Sequence, residues 1–373
     1  MEMKLLRLLV VFAFLGHPAS AAEVPFYIGT FTDTSTSKGI YLGSINSDTG
    51  KLGALTLASE AKSPNFLAFS PNGNFLYAAL RSGGSAVGAF ERRPDGTLTL
   101  LNQQPSGGDG ICHVSVDDLG HNVLAANYSS GSIACFPIKP DGGLGERTAF
   151  IQFTGSGPNL KRQDKPHAHS IYTDADNHFV YCCDLGTDNV WSFKFDAEHG
   201  TLQATNPPAS KVPPGSGPRH LVFHANGKLV YVANEMGHSV TVFQRDSNSG
   251  MLTVLQTIST LSKEISGEDV TTAEICCHPS GRWLYVSNRG CDTISVYEIA
   301  PDGKLTFIQS TSAMVVFPRS FAIDPTGKWL ISAGQKGNKI AVLKIDEATG
   351  QLTATDQSAE VGSPVCVLFA PQK

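Results

Sequence analysis

The chain lacks the short motifs that identify the commonest classes of enzyme. Its 373 residues contain no G-x-S-x-G nucleophile elbow, no G-x-x-x-x-G-K-[ST] phosphate loop and no H-E-x-x-H zinc motif. No segment after the N-terminus keeps an apolar period of about 3.6 residues, so amphipathic helices are not expected. Any chemistry must therefore come from residues that are far apart in the sequence.

Basic runs and a regular cysteine framework are also missing. The formal net charge is −5, so nucleic acid is not an expected partner. The eight cysteines include no C-x-x-C pair, which argues against zinc-binding and thioredoxin-like functions. Most of them fall inside apolar strand patterns, where cysteine behaves as a small buried hydrophobic residue. One or two disulfides are compatible with an oxidising compartment, and their pairing stays open.

Long apolar runs are absent except near the N-terminus. There Lys4 and Arg7 precede an apolar stretch over 8–15, and small residues follow it. This order is typical of a signal peptide, and the stretch is too short to span a bilayer. We predict a signal peptide over 1–22 with cleavage near Ala21-Ala22. The mature protein would be periplasmic or secreted, with no stable membrane anchor; an uncleaved anchor is the alternative.

What the chain does contain is one phrase that recurs about every fifty residues. Each copy is a short apolar strand, a turn that contains Gly or Asn, and a second apolar strand. A third strand, a Pro-Asp-Gly or Asp-x-x-x-Gly turn and a fourth strand follow each copy. Four short strands per repeat are typical of a propeller blade. The copies lie at 69–79, 116–127, 172–184, 223–234, 277–288 and 323–334.

Counting the repeats predicts an all-β fold, a seven-bladed β-propeller that occupies 23–373 as one domain. Six units are complete, whereas residues 26–58 lack a first strand. An unpaired first strand remains near the C-terminus, at 364–370. We therefore expect the C-terminal strand to pair into the first blade and close the ring, which removes exposed sheet edges.

Superposing the repeats on their turn residue predicts which side chains gather at one mouth of the central channel. Near the start of the innermost strand, the copies place Asn65, Cys112, His169, Arg219, Ala273 and Arg319. One residue later they place Phe66, His113, Ser170, His220, Glu274 and Ser320. At the end of the second strand they place Arg81, Tyr128, Leu185, Glu235, Arg289 and Gln335. These positions share one end of an antiparallel pair, so their charged residues should crowd together.

Such a cluster has two interpretations. Buried charges need partners, so ion pairing around a wet channel, such as Arg219 with Glu235, accounts for individual residues. For the whole set we favour an anion-binding site, because three arginines converge there.

A long insertion over 155–169 precedes the fourth blade, and long loops on a rigid scaffold often carry function. Its Arg162 makes a lid over an anionic ligand a reasonable expectation, and a solvated surface loop is the alternative. His167 and His169 end the insertion two residues apart, so they face the same side of an extended segment. A metal pair is one interpretation of that spacing, and a hydrogen-bonded or solvated pair is the commoner one.

Several short segments resemble the 6-phosphogluconolactonase family of seven-bladed propellers, which includes the fungal carboxy-muconate lactonising enzymes. The similarity covers nearly the whole mature chain. The segments are YIGT (27–30), SKGIY (37–41), CHVSV (112–116), ANY (126–128), GSGPN (155–159), HAHS (167–170), GPRH (217–220) and SNRG (287–290).

In the lactonising relatives the site is a His, an Arg, a Glu and a second Arg around one channel mouth. By motif, the resemblance assigns these catalytic roles to His169, Arg219, Glu235 and Arg289, in agreement with the superposition. The residues expected to contact the substrate are His113, Arg162, His167, Glu274 and Arg319. The resemblance implies a small-molecule lactone that is opened or closed without a metal or any other cofactor.

The predicted function is therefore metal-independent hydrolysis of an anionic, sugar-derived lactone resembling 6-phosphogluconolactone. Glu235 or His169 would be the base, and Arg219 and Arg289 would hold the oxyanion or the anionic group of the substrate. The alternatives are a muconate-type lactonising cycloisomerase and a non-catalytic ligand-binding propeller. Oxidative pentose phosphate chemistry is cytosolic, so an exported member is not expected to act on 6-phosphogluconolactone there. The oligomeric state stays open.

Overall fold

A computed structural model describes residues 23–371, and within that range every regular element is a β-strand. The 28 strands form seven four-stranded sheets. The strands are β1 (Glu23–Thr30), β2 (Gly39–Asn46), β3 (Thr56–Glu60), β4 (Pro64–Phe69), β5 (Phe75–Leu80), β6 (Ala86–Arg92), β7 (Leu98–Pro105), β8 (Ile111–Val116), β9 (Asn122–Asn127), β10 (Ser132–Pro137), β11 (Ala149–Gln152), β12 (Ala168–Thr173), β13 (Phe179–Asp184), β14 (Asn189–Asp196), β15 (Thr201–Lys211), β16 (Pro218–Phe223), β17 (Leu229–Asn234), β18 (Ser239–Arg245), β19 (Leu252–Ser259), β20 (Thr271–Cys277), β21 (Trp283–Arg289), β22 (Thr293–Ile299), β23 (Leu305–Ser312), β24 (Pro318–Ile323), β25 (Trp329–Gly334), β26 (Lys339–Ile345), β27 (Leu352–Glu360) and β28 (Pro364–Phe369).

The first sheet closes the ring in the way that the sequence predicts. Six sheets follow chain order from the inner to the outer strand, whereas the first has the order β28-β1-β2-β3. Strand β28 is antiparallel to β1, with Phe369 opposite Phe26 and Val367 opposite Ile28. The last strand of the chain is thus the innermost strand of the first blade. The seven-bladed, all-β fold is confirmed. The predicted signal peptide, 1–22, lies outside the described residues.

The Gly or Asn of the repeated phrase lies in a hairpin turn that requires a positive φ. In the second blade, the amide of Gly73 donates to the carbonyl of Ser70 at 2.9 Å, and Gly73 has a φ of 68°. A positive φ is strained for most residues and tolerated by Gly and Asn. Asn177 takes this place in the fourth blade, with a φ of 56°. The divergent copy therefore keeps the turn geometry of the others.

The apolar core lies between blades, as one cluster at each of the seven junctions. At the closing junction, Phe26 and Ile28 of the first blade pack with Ile331 and Val342 of the seventh. Each blade therefore buries its faces only against its two neighbours, and closure completes the last of these contacts.

Polar groups bridge every junction as well, and we use the name seam bonds for a set of seven such hydrogen bonds, one at each junction. Five are tyrosine hydroxyls that donate to a glycine carbonyl of the next blade. The remaining two come from Thr148, to the Gly200 carbonyl, and from the Trp329 indole, to the Ser47 carbonyl, each at 2.9 Å. The tyrosine bonds are Tyr27 to Gly96 (2.7 Å), Tyr77 to Gly142 (3.0 Å), Tyr181 to Gly250 (2.9 Å), Tyr231 to Gly303 (3.1 Å) and Tyr285 to Gly350 (2.8 Å).

All eight cysteines lie within residues 23–371, and none is in a disulfide. Seven of them lie in strands, as their sequence pattern suggests, and five are buried. Over the same residues no helix is long and apolar enough to cross a membrane.

Candidate active site

A β-bulge near the start of each inner strand exposes one side chain to the channel. In the fourth blade Ala168 is opposite Asp184 and Ser170 is opposite Cys183, which leaves His169 without a partner on β13. Bulges bend a strand and redirect a side chain, and they are frequent next to active sites. The same irregularity recurs in five other blades, where the unpaired residue is Asn65, Cys112, Arg219, Arg319 or Val365. In the remaining blade, the sixth, two residues are unpaired, Ala273 and Glu274.

The ends of the second strands supply the facing side chains. Glu235 follows β17 directly, and Arg289 is the last residue of β21. Arg81 and Tyr128 occupy the same place after β5 and β9. Because these ends lie beside the bulges of the inner strands, both sets of side chains meet at one mouth of the channel.

The mouth holds a cavity of about 220 Å³, which we call the mouth cavity. Four arginines and a single carboxylate line it, together with a histidine, a tyrosine and a cysteine. Its lining residues are Arg81, Cys112, Tyr128, Arg162, His169, Glu235, Arg289 and Arg319.

Glu235 is the central anion of this site and is 5% exposed. Its Oε2 lies 2.9 Å from Nη2 of Arg289 and 3.2 Å from Nε of Arg219, and its Oε1 lies 2.6 Å from Nη2 of Arg162. Burial acts to raise the pKa of Glu235, but the three guanidiniums outweigh burial and lower that pKa to about 2. Glu235 is therefore firmly ionised at neutral pH.

The two innermost arginines are tied to backbone carbonyls. Arg219, at 2% exposure, donates from Nη1 to the carbonyl of Ala273 at 2.7 Å, and Arg289 donates from Nη2 to the carbonyl of Thr272 at 3.3 Å. Nε of Arg219 faces Oε2 of Glu235, whereas Nε of Arg289 is buried without a hydrogen-bond partner among the described residues. Both guanidiniums are thus held in place, and Arg289 still has an unused donor.

Arg319 and Arg81 both lie close to the Phe31 ring, with guanidinium carbons 5.5 and 5.7 Å from the ring centroid. Neither forms an ion pair with any residue in 23–371. Burial, with Arg219 and Arg289 nearby, lowers the pKa of Arg319 to about 9. A cation this unfavourably placed is stabilised by an anion that enters the cavity.

The insertion contributes Arg162 and is anchored by the residue that follows it. Gln163 is completely buried and donates to the Leu185 carbonyl at 2.8 Å and to the Asp188 carboxylate at 2.7 Å. This anchoring positions the Arg162 guanidinium next to Glu235, and the side chain of Arg162 is 40% exposed. Lys161 and Lys165 point into solvent. The part of the insertion that reaches the site is therefore Arg162, on a loop that Gln163 holds in place.

His167 and His169 both contact Tyr128, with ring centroids 4.5 and 5.4 Å from the tyrosine ring. Nδ1 of His167 bonds the Tyr128 carbonyl at 2.9 Å. His169 lines the mouth cavity, and its Nε2 is 3.9 Å from Oε2 of Glu235. Burial and the charge of Arg219 hold the pKa of His169 well below its usual range, so the ring is neutral at neutral pH. Within residues 23–371, no three His, Cys, Asp or Glu side chains converge on a metal position.

A second polar layer, the imidazole layer, lies next to the mouth cavity and consists of His113, His220 and Glu274. Nδ1 of His220 is 2.7 Å from Oε1 of Glu274. The His113 ring packs against Phe66 (centroids 4.1 Å apart) and Tyr172 (4.5 Å). Burial and Arg219 lower the pKa of His220 to about 4, and His220 lowers the pKa of Glu274 against the effect of burial. The pair is therefore a neutral imidazole that donates to a carboxylate.

Of the residues that the sequence predicts, Arg162, His169, Glu235, Arg289 and Arg319 line the mouth cavity, and Arg219 supports it through Glu235. His113 and Glu274 belong to the imidazole layer and His167 stacks behind Tyr128, so contact with a substrate stays a prediction for these three. The sequence analysis overlooked Arg81, Cys112 and Tyr128 as site residues. The superposition of repeats places all three at positions that face the mouth. Their position in the repeat therefore indicates a site residue more clearly than their residue type does.

Comparison with known proteins identifies the family to which this fold belongs. The family described as lactonase, 7-bladed beta-propeller, matches residues 25–369. The 6-phosphogluconolactonase of Bacillus subtilis (strain 168) is 33% identical over 349 residues, covering 93% of this chain and 98% of that protein. A solved structure from Bacteroides fragilis NCTC 9343 has a TM-score of 0.89 at 35% identity and covers 95% of this chain and 100% of its own. The periplasmic gluconolactonase of Pseudomonas aeruginosa has a TM-score of 0.89 at 29% identity, with coverages of 94% and 99%.

The relatives match this seven-bladed propeller along almost the whole chain. The protein is therefore an enzyme of the lactonase class of hydrolases. The chain belongs to the lactonase family of seven-bladed β-propellers.

Proposed function

We propose that the mouth cavity binds and hydrolyses a lactone that carries an anionic group and derives from a sugar. The observation that carries this proposal is the surplus of positive charge: four arginines line the cavity against the single carboxylate of Glu235. Arg162 and Arg289 pair with that carboxylate, whereas Arg81 and Arg319 remain free for a ligand. A guanidinium donates two parallel hydrogen bonds to a carboxylate or phosphate, so these two arginines suit the anionic group of the substrate.

The size of the cavity favours a small substrate. At about 220 Å³ it is below the range of roughly 300–1,000 Å³ that is usual for pockets that hold drug-sized ligands. A single sugar ring with one anionic substituent matches both this size and this charge. The name of the Bacillus subtilis relative, 6-phosphogluconolactonase, belongs to the same substrate class.

Hydrolysis needs a base for the attacking water, and we assign this role to His169. Both carboxylate oxygens of Glu235 face guanidiniums, Oε1 that of Arg162 and Oε2 those of Arg219 and Arg289, so neither oxygen is free to take the proton of a water. His169 is neutral, lines the cavity and lies within 3.9 Å of Glu235, so an imidazolium formed there gains a nearby anion. Glu235 then orients Arg219 and Arg289 and stabilises the protonated histidine.

We assign stabilisation of the developing oxyanion to Arg289, with Arg219 in support. As water attacks, its oxygen bonds to the lactone carbonyl carbon, its proton passes to His169 and the carbonyl oxygen becomes an anion. The unused Nε donor of Arg289 stabilises that charge, which is the role of a preorganised oxyanion site, and the positive charge of Arg219 adds to the local field. Collapse of the intermediate breaks the ring C–O bond, and the proton on His169 passes to the departing alkoxide. In this scheme the arginines supply the positive charge that a metal supplies in other hydrolases.

The proposal also includes export of the mature chain. The N-terminal signal predicted from the sequence ends where β1 begins, at Glu23, and one structural neighbour is a periplasmic gluconolactonase. We expect the mature protein from its native host to begin near Ala22 or Glu23. Recovery of Met1 from a cytosolic fraction by N-terminal sequencing would contradict export.

The proposed reaction is tested by a pH-stat assay of residues 23–373 with gluconolactone and with matched sugar lactones bearing a phosphate or a carboxylate. We expect acid release with each active lactone and a lower KM for the anionic ones. An Arg319→Gln variant should lose that KM preference and keep turnover of the neutral lactone. The same assay run with a muconate-type diacid checks the lactonising direction. Failure to open any of the lactones would contradict the proposed hydrolysis.

A further inference from the structure

One position on the mouth side of the repeat often bonds a blade to the next one. It is the residue directly before the third strand, and in the second to seventh blades it has a positive φ between 44° and 66°. In four of these blades its side chain accepts a hydrogen bond from a backbone amide of the following blade. That amide is always two residues before the unpaired residue of the inner strand. We call these four contacts the entry bonds.

The entry bonds hold the segments that lead into the inner strands of the first, third, fifth and seventh blades. They run from the amides of Gly110 to Ser85 (2.9 Å), Gly217 to Asp188 (2.8 Å), Phe317 to Asp292 (2.8 Å) and Ser363 to Asn338 (2.8 Å). The unpaired residues that follow are Cys112, Arg219, Arg319 and Val365, respectively. Two of these residues carry no charge, so an entry bond by itself is a device of the fold.

Asp188 forms more bonds than the other three acceptors and contacts a second loop. Its side chain is buried, and its Oδ1 accepts both from the Gly217 amide and from Nε2 of Gln163, the latter at 2.7 Å. Its Oδ2 accepts from the Gly215 amide at 2.7 Å. Three donors from two segments need two acceptor oxygens, which a carboxylate supplies and an amide side chain does not.

The two segments that Asp188 joins carry the arginines that face the two oxygens of Glu235. Gln163 belongs to the insertion and directly follows Arg162, whose Nη2 is 2.6 Å from Oε1 of Glu235. The other segment leads into Arg219, whose Nε is 3.2 Å from Oε2 of Glu235. One buried carboxylate outside the mouth cavity therefore determines where both guanidiniums lie.

We propose that Asp188 is a positioning residue for lactone opening. It holds the insertion against the segment before β16, and so fixes Arg162 and Arg219 on the two sides of Glu235. This inference rests on the proposed hydrolysis at the mouth. Its structural part, the joining of two loops by one carboxylate, is measurable without a substrate.

Loss of the Asp188 carboxylate should affect turnover and spare the preference for anionic lactones. A change in the orientation of Glu235 alters the surroundings of the proposed base, because Nε2 of His169 is 3.9 Å from its Oε2. The arginines assigned to the anionic group of the substrate belong to other blades: Arg81 follows β5, and Arg319 is in β24. Neither lies in a segment that Asp188 contacts.

The test compares Asp188→Gly with Asn338→Gly, two variants that remove an entry bond. Glycine tolerates the positive φ at both positions, so neither substitution adds backbone strain. We expect lactone turnover to fall roughly 10-fold to 10²-fold in Asp188→Gly, because a misplacement of about 1 Å in an active site is enough for such a loss. The ratio of KM between neutral and anionic lactones should stay as in the wild type. Asn338→Gly is the control and should keep both quantities.

Hydrogen exchange, measured by mass spectrometry on residues 23–373, reports on the two loops independently of activity. Exchange should become faster in both 155–167 and 213–217 in Asp188→Gly, and only near Ser363 in Asn338→Gly. Asp188→Asn replaces one acceptor oxygen by a donor and should show a smaller effect of the same kind. It is the second variant for the case in which the glycine protein folds poorly.

Full turnover in both Asp188 variants would overturn the proposal, as would an equal loss of turnover in Asn338→Gly. Unchanged exchange over 155–167 in Asp188→Gly would overturn it as well. If exchange rises in both loops but the wild type opens no lactone, the proposed function fails and the joining of the loops by Asp188 stands.

Discussion

The seams between blades and the mouth of the channel use buried polar groups in opposite ways. At the seams every bridging donor has an acceptor: the hydroxyl of Tyr231 meets the carbonyl of Gly303, and the pattern repeats around the ring. At the mouth, Nε of Arg289 is buried without a partner in the described residues, and within 23–371 Arg81 and Arg319 form no ion pair. The comparison indicates that seam donors stabilise the fold, whereas mouth donors are held in place for a ligand.

Charge separates the two regions in the same way. Arg245 belongs to the same blade as Glu235 but lies at the opposite end of its strands. It is buried and crosses the seam to Asp174 of the fourth blade, with Asp176 close by at 3.2 Å. Around Glu235, by contrast, arginines outnumber carboxylates. Replacing a seam group should therefore cost stability and leave catalysis intact. Replacing a mouth group should lower turnover and leave stability nearly unchanged. The exception is a mouth group that is the central partner of an ion-pair cluster.

The largest expected effect is on the seam that closes the ring. Truncation after Gly362 removes β28, exposes the inner edge of the first blade and deprives Phe26 and Ile28 of apolar contacts. We expect loss of cooperative thermal unfolding and accumulation of insoluble protein, measured by calorimetry and by the soluble fraction. Truncation after Pro371 is the control. A soluble protein that lacks β28 and melts like the parent would show that closure is dispensable.

Glu235 is the mouth residue for which a stability cost is expected. Glu235→Gln leaves Arg219 and Arg289 buried without their anion, and breaking a buried pair costs about 3–5 kcal/mol. Turnover should fall as well, because the arginines lose their orientation. The control is Glu91→Gln, at an exposed ion pair with Arg93, which should change neither stability nor turnover.

The cost of Glu235→Gln should depend on pH in a defined direction. Folding lowers the pKa of Glu235 from 4.5 to about 2, so its ionised form stabilises the native state above about pH 4.5. That contribution is lost as the pH falls toward 2. The Tm difference between wild type and variant should therefore be full at neutral pH and shrink below pH 4.5. A difference that stays constant down to pH 2 would contradict the assigned ionisation.

The smallest effects come from two matched tyrosines. Tyr231→Phe removes a seam bond and should lower stability by about 1 kcal/mol with unchanged turnover. Tyr128→Phe removes a 3.3 Å contact with Arg162 at the mouth and should change turnover or KM a few-fold with little effect on Tm. Equal effects of the two substitutions on both quantities would remove the distinction between seam and mouth.

Sequence repeats predict the scaffold well because each blade repeats the same local physics. The turn residues require a positive φ, and the apolar strands have nowhere to pack except between blades. The missing first strand in 26–58 and the spare strand at 364–370 together predict closure. Superposition of the repeats also predicts that His169 and Arg319 share a position, and the recurrent bulge explains why that position faces the channel.

The partners within the site could not be predicted in the same way. Contact of Glu235 with Arg162 depends on an irregular loop, whose path is set by the buried amide of Gln163. The pairing of His220 with Glu274 depends on the curvature of the ring, which brings neighbouring inner strands together. Neither distance follows from the spacing of residues along a repeat.

The most direct test of the contrast between seam and mouth compares two buried arginines, Arg289→Gln and Arg245→Gln, by lactone turnover and Tm on the same samples. Loss of one aimed donor should cut turnover by roughly 10²–10³ in Arg289→Gln with a small change in Tm, and Arg289→Lys should restore little because it lacks the planar fork. Arg245→Gln should melt much earlier and keep its turnover, since it leaves Asp174 buried without its partner. The account is contradicted if Arg289→Gln hydrolyses normally and loses only stability.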